Sequence, residues 1–216
     1  MRISELSRTS SVSVPTIKYY LREGLLEPGS STGPNRADYG ESHVHRLRLI
    51  RVLMDVGGLS VAAIGDVLDA IADESLSMHE VAGRAQYALG PAATEGEDVP
   101  DDLRHARGEV DRFLAGLGWH NTPGAPGRRA LADALVALWR LGRGYGVEVF
   151  RPYAELSDKL AAHEVTIIEP DATRSEAVEA VVVGVVVFEA ALVALRRLAQ
   201  EHHSWLRSGT GAEKLP

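Results

Sequence analysis

The sequence predicts a predominantly all-α protein, an N-terminal winged helix-turn-helix with a short β wing joined to a C-terminal helical-bundle domain. Three observations carry this expectation. Apolar residues recur at helical spacing along most of the chain, and no segment alternates convincingly with period two. Near the N-terminus a Ser-rich turn, RTSSVS, separates two short helical patterns. A stretch dense in Gly, Pro, Ser, Asn and Asp, residues 27–40, then breaks the helical pattern before it resumes.

Taken in order, Ile3 and Leu6 mark a first helix. Ser13 is a suitable N-cap for a second, because its short hydroxyl can accept from a backbone N–H of the first turn. Pro15 falls in that first turn, where a missing N–H breaks no helical bond, and Gly24 stands just past the end as a stop. Val14, Ile17 and Leu21 share one face of this helix and leave Thr16, Lys18, Tyr19 and Arg22 pointing elsewhere. Residues 27–40, EPGSSTGPNRADYG, form the wing as a loop or two-stranded hairpin. A third helix runs from Ser42 through Val44, Leu47 and Ile50 to the Gly57-Gly58 pair. Ser60 caps a fourth, carrying Val61, Ile64, Val67, Leu68 and Ile71. The first domain, residues 1–73, ends there.

A connecting helix over 78–89 and the acidic break GPAATEGEDVP make up a linker region, residues 74–100. The second domain, 101–208, carries helices near 100–118, 127–143, 150–165 and 173–206, and a flexible tail covers 209–216. The last helix, with VEAVVVGVVVFEAALVALRRLAQ, is apolar on nearly every face and is expected to lie buried in a bundle or against a second subunit. Glu189 interrupts it, which disfavours a membrane span.

Composition narrows the function classes. The chain has no cysteine, so disulfides, thiolate metal sites and cysteine nucleophiles are excluded. Neither a signal peptide nor an uninterrupted apolar run of membrane-spanning length is present, which predicts a cytoplasmic protein without a membrane partner. The net charge of -7 is uneven. Residues 1–58 carry 8 Arg and Lys against 6 Asp and Glu, whereas residues 59–216 carry 15 against 24. A weakly basic head on an acidic body can still bind phosphate, because counterion release depends on the local patch. No zinc-protease, Walker or nucleophile-elbow motif occurs; His163, His202 and His203 lack catalytic spacing, and His43 and His45 lack a third metal ligand. The expectation is a non-enzyme with no metal and no cofactor.

The run TIKYYLREGLLEP from Thr16 to Pro28, a Gly/Pro/Asn wing ending in Tyr39, and HRLRLIRVLMDVGGLSVAAI in fixed order resemble the MerR family of bacterial transcription regulators. The resemblance covers about residues 1–72; the helical remainder is similar, more loosely, to the C-terminal domains of some actinobacterial members. It implies a homodimer bound to double-stranded promoter DNA, acting on RNA polymerase indirectly through an effector-triggered twist of the promoter. Physical reading agrees, since a helix in the major groove needs donors on its outer face. The expected DNA-binding residues are Thr16, Lys18, Tyr19, Tyr20, Arg22, Asn35, Arg36 and Tyr39, with one of the tyrosine pair at 19 and 20 packing in the core instead. Arg46, Arg48 and Arg51 read as a solvated helix face. Two departures stand out: Ser11 where many members have Gly, and Ser30 and Ser31 where relatives often carry Arg.

Without cysteine, a thiol-based sensor is ruled out and a small organic effector is expected. Trp119, Trp139, Tyr145, Phe150, Tyr153 and Phe188 could wall its site, with Glu189 facing a cationic group if buried. The rival reading is a constitutive DNA-binding regulator whose helical half only dimerises or binds a protein partner; in either reading the dimer forms through the 78–89 helix or through 173–206, with a contribution from the latter expected.

Overall fold

A computed structural model describes residues 1–33, 36–89, 99–166 and 174–208. The stretch 90–98, expected to be linker, and the tail 209–216 lie outside them. The chain forms two compact units, Met1–Ala82 together with the chain from Val178 onward, and Gly83–Ala177.

The first unit begins with α1 (Ile3–Ser10) and α2 (Val14–Arg22). The turn between them is built by serines. Ser10 is buried, and its hydroxyl donates to the Leu6 carbonyl at 2.7 Å. Ser11 takes the left-handed conformation, φ 57°, that glycine adopts without steric cost. Ser13 caps α2 by accepting from the Thr16 N–H at 3.2 Å, Pro15 sits in the first turn, and Gly24 at φ 74° ends the element.

The wing is an antiparallel pair, β1 (Ser30–Gly33) and β2 (Arg36–Asp38), with Ser30 opposite Asp38, Ser31 opposite Ala37 and an irregularity between Ser31 and Gly33. Gly29 is required at its base: a Cβ there would lie 2.7 Å from the Asp38 carbonyl oxygen and 3.0 Å from the Tyr39 ring. Helix α3 (Glu41–Asp55) starts one residue before the expected Ser42, its first turn held by the His43 Nδ1, which accepts from the Gly40 N–H at 3.0 Å. Ser60 caps α4 (Val61–Ala72), accepting from the Ala63 N–H at 3.2 Å. Leu6, Ile17, Leu26, Leu47, Ile50, Leu53, Ile64 and Leu68 close the core, each at most 2% exposed. Full burial of such side chains contributes about 1.5–3 kcal/mol each.

Helix α5 (Met78–Leu89) occupies the expected range. In the second unit α6 (Asp101–Leu117) packs on α7 (Pro126–Arg140), and a 3₁₀ turn, Val147–Phe150, leads into α8 (Arg151–Glu164). Ala106, Val110, Phe113, Leu114, Ala132, Leu135, Val136, Val147 and Ala154 form its core. Surface ion pairs lace α6 to α7, Arg128 to Asp111 at 2.6 Å and Arg140 to Asp102 at 2.8 Å. The Arg140 guanidinium bonds hold the Asp102 carboxyl below its ordinary pKa.

Helix α9 (Arg174–Ser208) departs from expectation. From Val178 it groups with the first unit rather than with the helical domain assigned to 101–208. Within the single chain it is not buried in a bundle, one of the two expected covers: Val178, Val182 and Val186, one per turn, are the buried ones among its described residues, and 17% of its most apolar stretch is covered. The reason lies in the seat. Val186 fits where Gly57 has no side chain, since a Cβ on Gly57 would lie 2.7 Å from the Val186 Cγ1. His45 on α3 meets Glu179 at 2.6 Å. Beyond the seat Leu192, Val193, Leu195, Leu198, Trp205 and Leu206 stand exposed. By length and composition alone α9 could cross a membrane.

Candidate nucleic-acid interface

On α2 the burial pattern divides the helix cleanly. Ile17 and Tyr20 face the core, whereas Lys18, Tyr19 and Arg22 are exposed. Lys18 and Arg22 lie one turn apart, which puts two cations on the same face. The Arg22 guanidinium sits 5.7 Å from the centroid of the Tyr19 ring, a stacking that orders the long side chain while its N–H groups still reach outward. Thr16 is half-buried, its hydroxyl 2.7 Å from that of Ser13, so it belongs to the cap as well as to the face.

The two tyrosines separate as expected, one out and one in. Tyr20 is 4% exposed with its hydroxyl 3.7 Å from the Met54 sulfur, and burial raises its pKa, with Asp55 adding to the rise. It is a core residue rather than a donor on the outer face. Tyr39, also expected to bind DNA, is 7% exposed; its ring meets His43 edge-on and its backbone pairs with Met1. It ties the base of the wing to the N-terminus while its ring stays at the edge of the groove beside the wing. Asn35 and the Arg36 side chain lie outside the described residues.

Between α2, the wing and the start of α1 runs a groove of about 740 Å³, lined by Arg2, Ile3, Lys18, Gly29, Ser31, Gly33, Ala37 and Tyr39. Small side chains on the wing side leave backbone at the surface, which is what close approach of a sugar-phosphate chain demands. Arg2 was not legible as a site residue, because nothing near it in sequence suggests one; only closure of the wing brings it beside Lys18. The arginines of α3 are largely committed to the protein itself. Arg46 donates to the Leu25 carbonyl at 3.1 Å, and burial lowers its pKa against the opposing pull of Glu27, Asp69 and Glu179. Arg51 pairs with Asp55 at 3.1 Å, while Arg48 is exposed.

The residues suggested for an effector divide between the two units. In the second unit Trp119, Trp139 and Phe150 pack on the core; Trp119 donates to Asp158 at 3.0 Å and Trp139 to the Tyr145 carbonyl at 2.8 Å. Tyr145 and Tyr153 are half exposed. Phe188 and Glu189 belong to the first unit, on α9, where Glu189 is exposed rather than buried. The described cleft of the second unit, about 320 Å³, is lined instead by Glu109, Arg112, Phe113, Gly146, Val147 and Glu148. Among the described residues no three His, Asp or Glu are grouped to hold a metal ion.

Residues 1–71 match the MerR HTH family regulatory protein domain. The chain is 38% identical over 81 residues to heavy metal-dependent transcription regulator 2 of Rhizobium meliloti, an alignment covering 38% of this chain and 54% of the relative. It is similar to the same extent to the HTH-type transcriptional regulator HmrR of Sinorhizobium medicae. The chain thus spans about half the length of the curated relatives it matches. Likeness over the whole chain comes from a crystal structure, that of the proposed transcriptional regulator SCO5550 from Streptomyces coelicolor A3(2). The two are 41% identical with a TM-score of 0.73, covering 99% of this chain and 100% of that one.

Proposed function

Since this chain belongs to the MerR family of helix-turn-helix regulatory proteins, we propose that it is a cytoplasmic, dimeric regulator that binds double-stranded promoter DNA, with α2 in the major groove and the wing along the backbone. The observation that carries the reading is the exposed face of α2, where Lys18, Tyr19 and Arg22 stand beside a groove open to the wing. Polymerase is reached through the DNA rather than by a surface of its own. The test is binding to the DNA upstream of its own gene, in a salt series and against unrelated DNA. Saturable, discriminating binding is expected, and Lys18→Ala should weaken it on both DNAs and lower the salt slope by about 0.9, the share of a single neutralised phosphate. Unchanged affinity in Lys18→Ala and Arg22→Ala would remove this surface from the reading.

For the dimer, the support is α9: a row of exposed leucines ending in Trp205 and Leu206, on a helix already seated on the DNA-binding unit. A membrane is the poorer cover, because the same helix carries Glu179 bound to His45, Glu189, Arg196 and Arg197. For an effector, the packed aromatics of the second unit give little room. The cleft between Glu109, Arg112 and Glu148 is the better place for a small organic molecule, at the lower end of ligand-site volumes. A ligand that binds there should raise the Tm with the logarithm of its concentration once that exceeds Kd. If nothing does, the helical half acts constitutively.

A further inference from the structure

We propose that Arg2 is a DNA-backbone contact that Asp38 holds in place on the free protein, and that on binding Arg2 exchanges the Asp38 carboxylate for a phosphate; this deepens the DNA-binding reading and rests on it. The position of Arg2 is set by backbone bonds on both sides. The Met1 amine donates to the Tyr39 carbonyl at 2.7 Å and the Tyr39 N–H to the Met1 carbonyl at 2.8 Å, while the Arg2 carbonyl accepts from the Glu5 and Leu6 N–H groups at 2.9 Å. Residue 2 is therefore pinned between the end of β2 and the first turn of α1, at the rim of the groove that Lys18 also lines.

Its guanidinium Nε lies 3.7 Å from the Asp38 Oδ1, with the two side chains 51% and 44% exposed. That separation exceeds the 2.7–2.9 Å of a good charge-assisted bond, and an ion pair this exposed adds little to stability. It nevertheless sets the guanidinium beside β2, and it partly neutralises a carboxylate that would otherwise face an incoming phosphate alone. Duplex DNA in the groove offers Arg2 a phosphate, a bidentate acceptor better matched to a guanidinium than the Asp38 carboxylate at 3.7 Å. The exchange then leaves Asp38 as a charge opposing the DNA, so the acid limits affinity while the arginine supports it.

The experiment is fluorescence anisotropy of a labelled mixed-sequence duplex across a salt series, with Arg2→Ala, Asp38→Asn, the double variant and Lys18→Ala. Arg2→Ala should weaken binding and lower the slope of log affinity against log salt by about 0.9, without shifting the Tm. Asp38→Asn should tighten binding about two- to fivefold, and that gain should shrink in the Arg2→Ala background, because the exchange is absent there. Arg2→Ala matching the wild type while Lys18→Ala loses affinity would overturn the inference and leave the DNA surface standing. So would an equal gain from Asp38→Asn in both backgrounds, which would reduce Asp38 to simple repulsion. Lys18→Ala also binding as the wild type would bring down the underlying reading, and this inference with it.

Discussion

Two apolar helices of the same unit meet opposite fates. Helix α4 hides Ile64, Val67, Leu68 and Ala70 within its own unit, whereas α9, richer still in valine and leucine, buries Val178, Val182 and Val186 and leaves Leu192, Leu195 and Leu198 in the open. The contrast teaches that apolar composition states how strongly a helix needs cover and not who supplies it. In α4 the cover is encoded nearby, since Ser60 starts the helix at a fixed phase and the α3 side chains wait opposite. In α9 the seat beside α3 takes one stripe only, and the leucines beyond it stay exposed in the chain itself.

The comparison can be broken or sharpened by substitution. The largest effect should come from Leu195→Asp with Leu198→Asp. If a second copy covers these residues, each leucine withdrawn costs about 1.5–3 kcal/mol, so self-association measured by analytical ultracentrifugation should weaken by at least about 10²-fold while the monomer's Tm holds. An unchanged dimer would remove α9 from the interface. Next, Leu47→Ala should cost about 2–5 kcal/mol in urea unfolding, because this fully buried side chain leaves a cavity; Leu195→Ala, compared in the monomer, should cost almost nothing. Ser13→Ala should cost about 1 kcal/mol by freeing the Thr16 N–H it caps, with α2 fraying first by hydrogen exchange. Smallest of all, Ser11→Gly should stabilise by less than about 1 kcal/mol in thermal unfolding, since relief of the left-handed strain is partly offset by the greater freedom of glycine in the unfolded chain.

What the sequence conveyed divides along the same line. Signals acting over a few residues, such as Ser13, Pro15, Gly24 and Ser60, place α2 and α4 correctly because caps and stops need no tertiary partner. The outer face of α2 follows from phase alone; of the tyrosine pair the sequence implies one in and one out, and the structure buries Tyr20, three residues after Ile17 on the core side. The burial of Tyr39 is not legible, because it depends on pairing with Met1, thirty-eight positions away. Arg2 escapes notice for the same reason. The aromatics of the second unit look like walls of a pocket, yet a Trp N–H is equally content with Asp158 or a backbone carbonyl, and composition cannot distinguish the two. The 3₁₀ turn at Val147–Phe150 carries no strong cap, and from sequence its end merges into the following helix.

The close approach of Gly57 to Val186 has a mechanical consequence. The buried span from Val178 to Val186 is about 12 Å of helix, and the portion beyond it, from Val187 to Ser208, is about 33 Å at 1.5 Å per residue. A rigid rod clamped over so short a length is a lever with unequal arms, so any tilt at the clamp is magnified nearly threefold at its tip. One added methyl at position 57 would act at the fulcrum, and the smallest edit available to this protein would swing Trp205 the furthest.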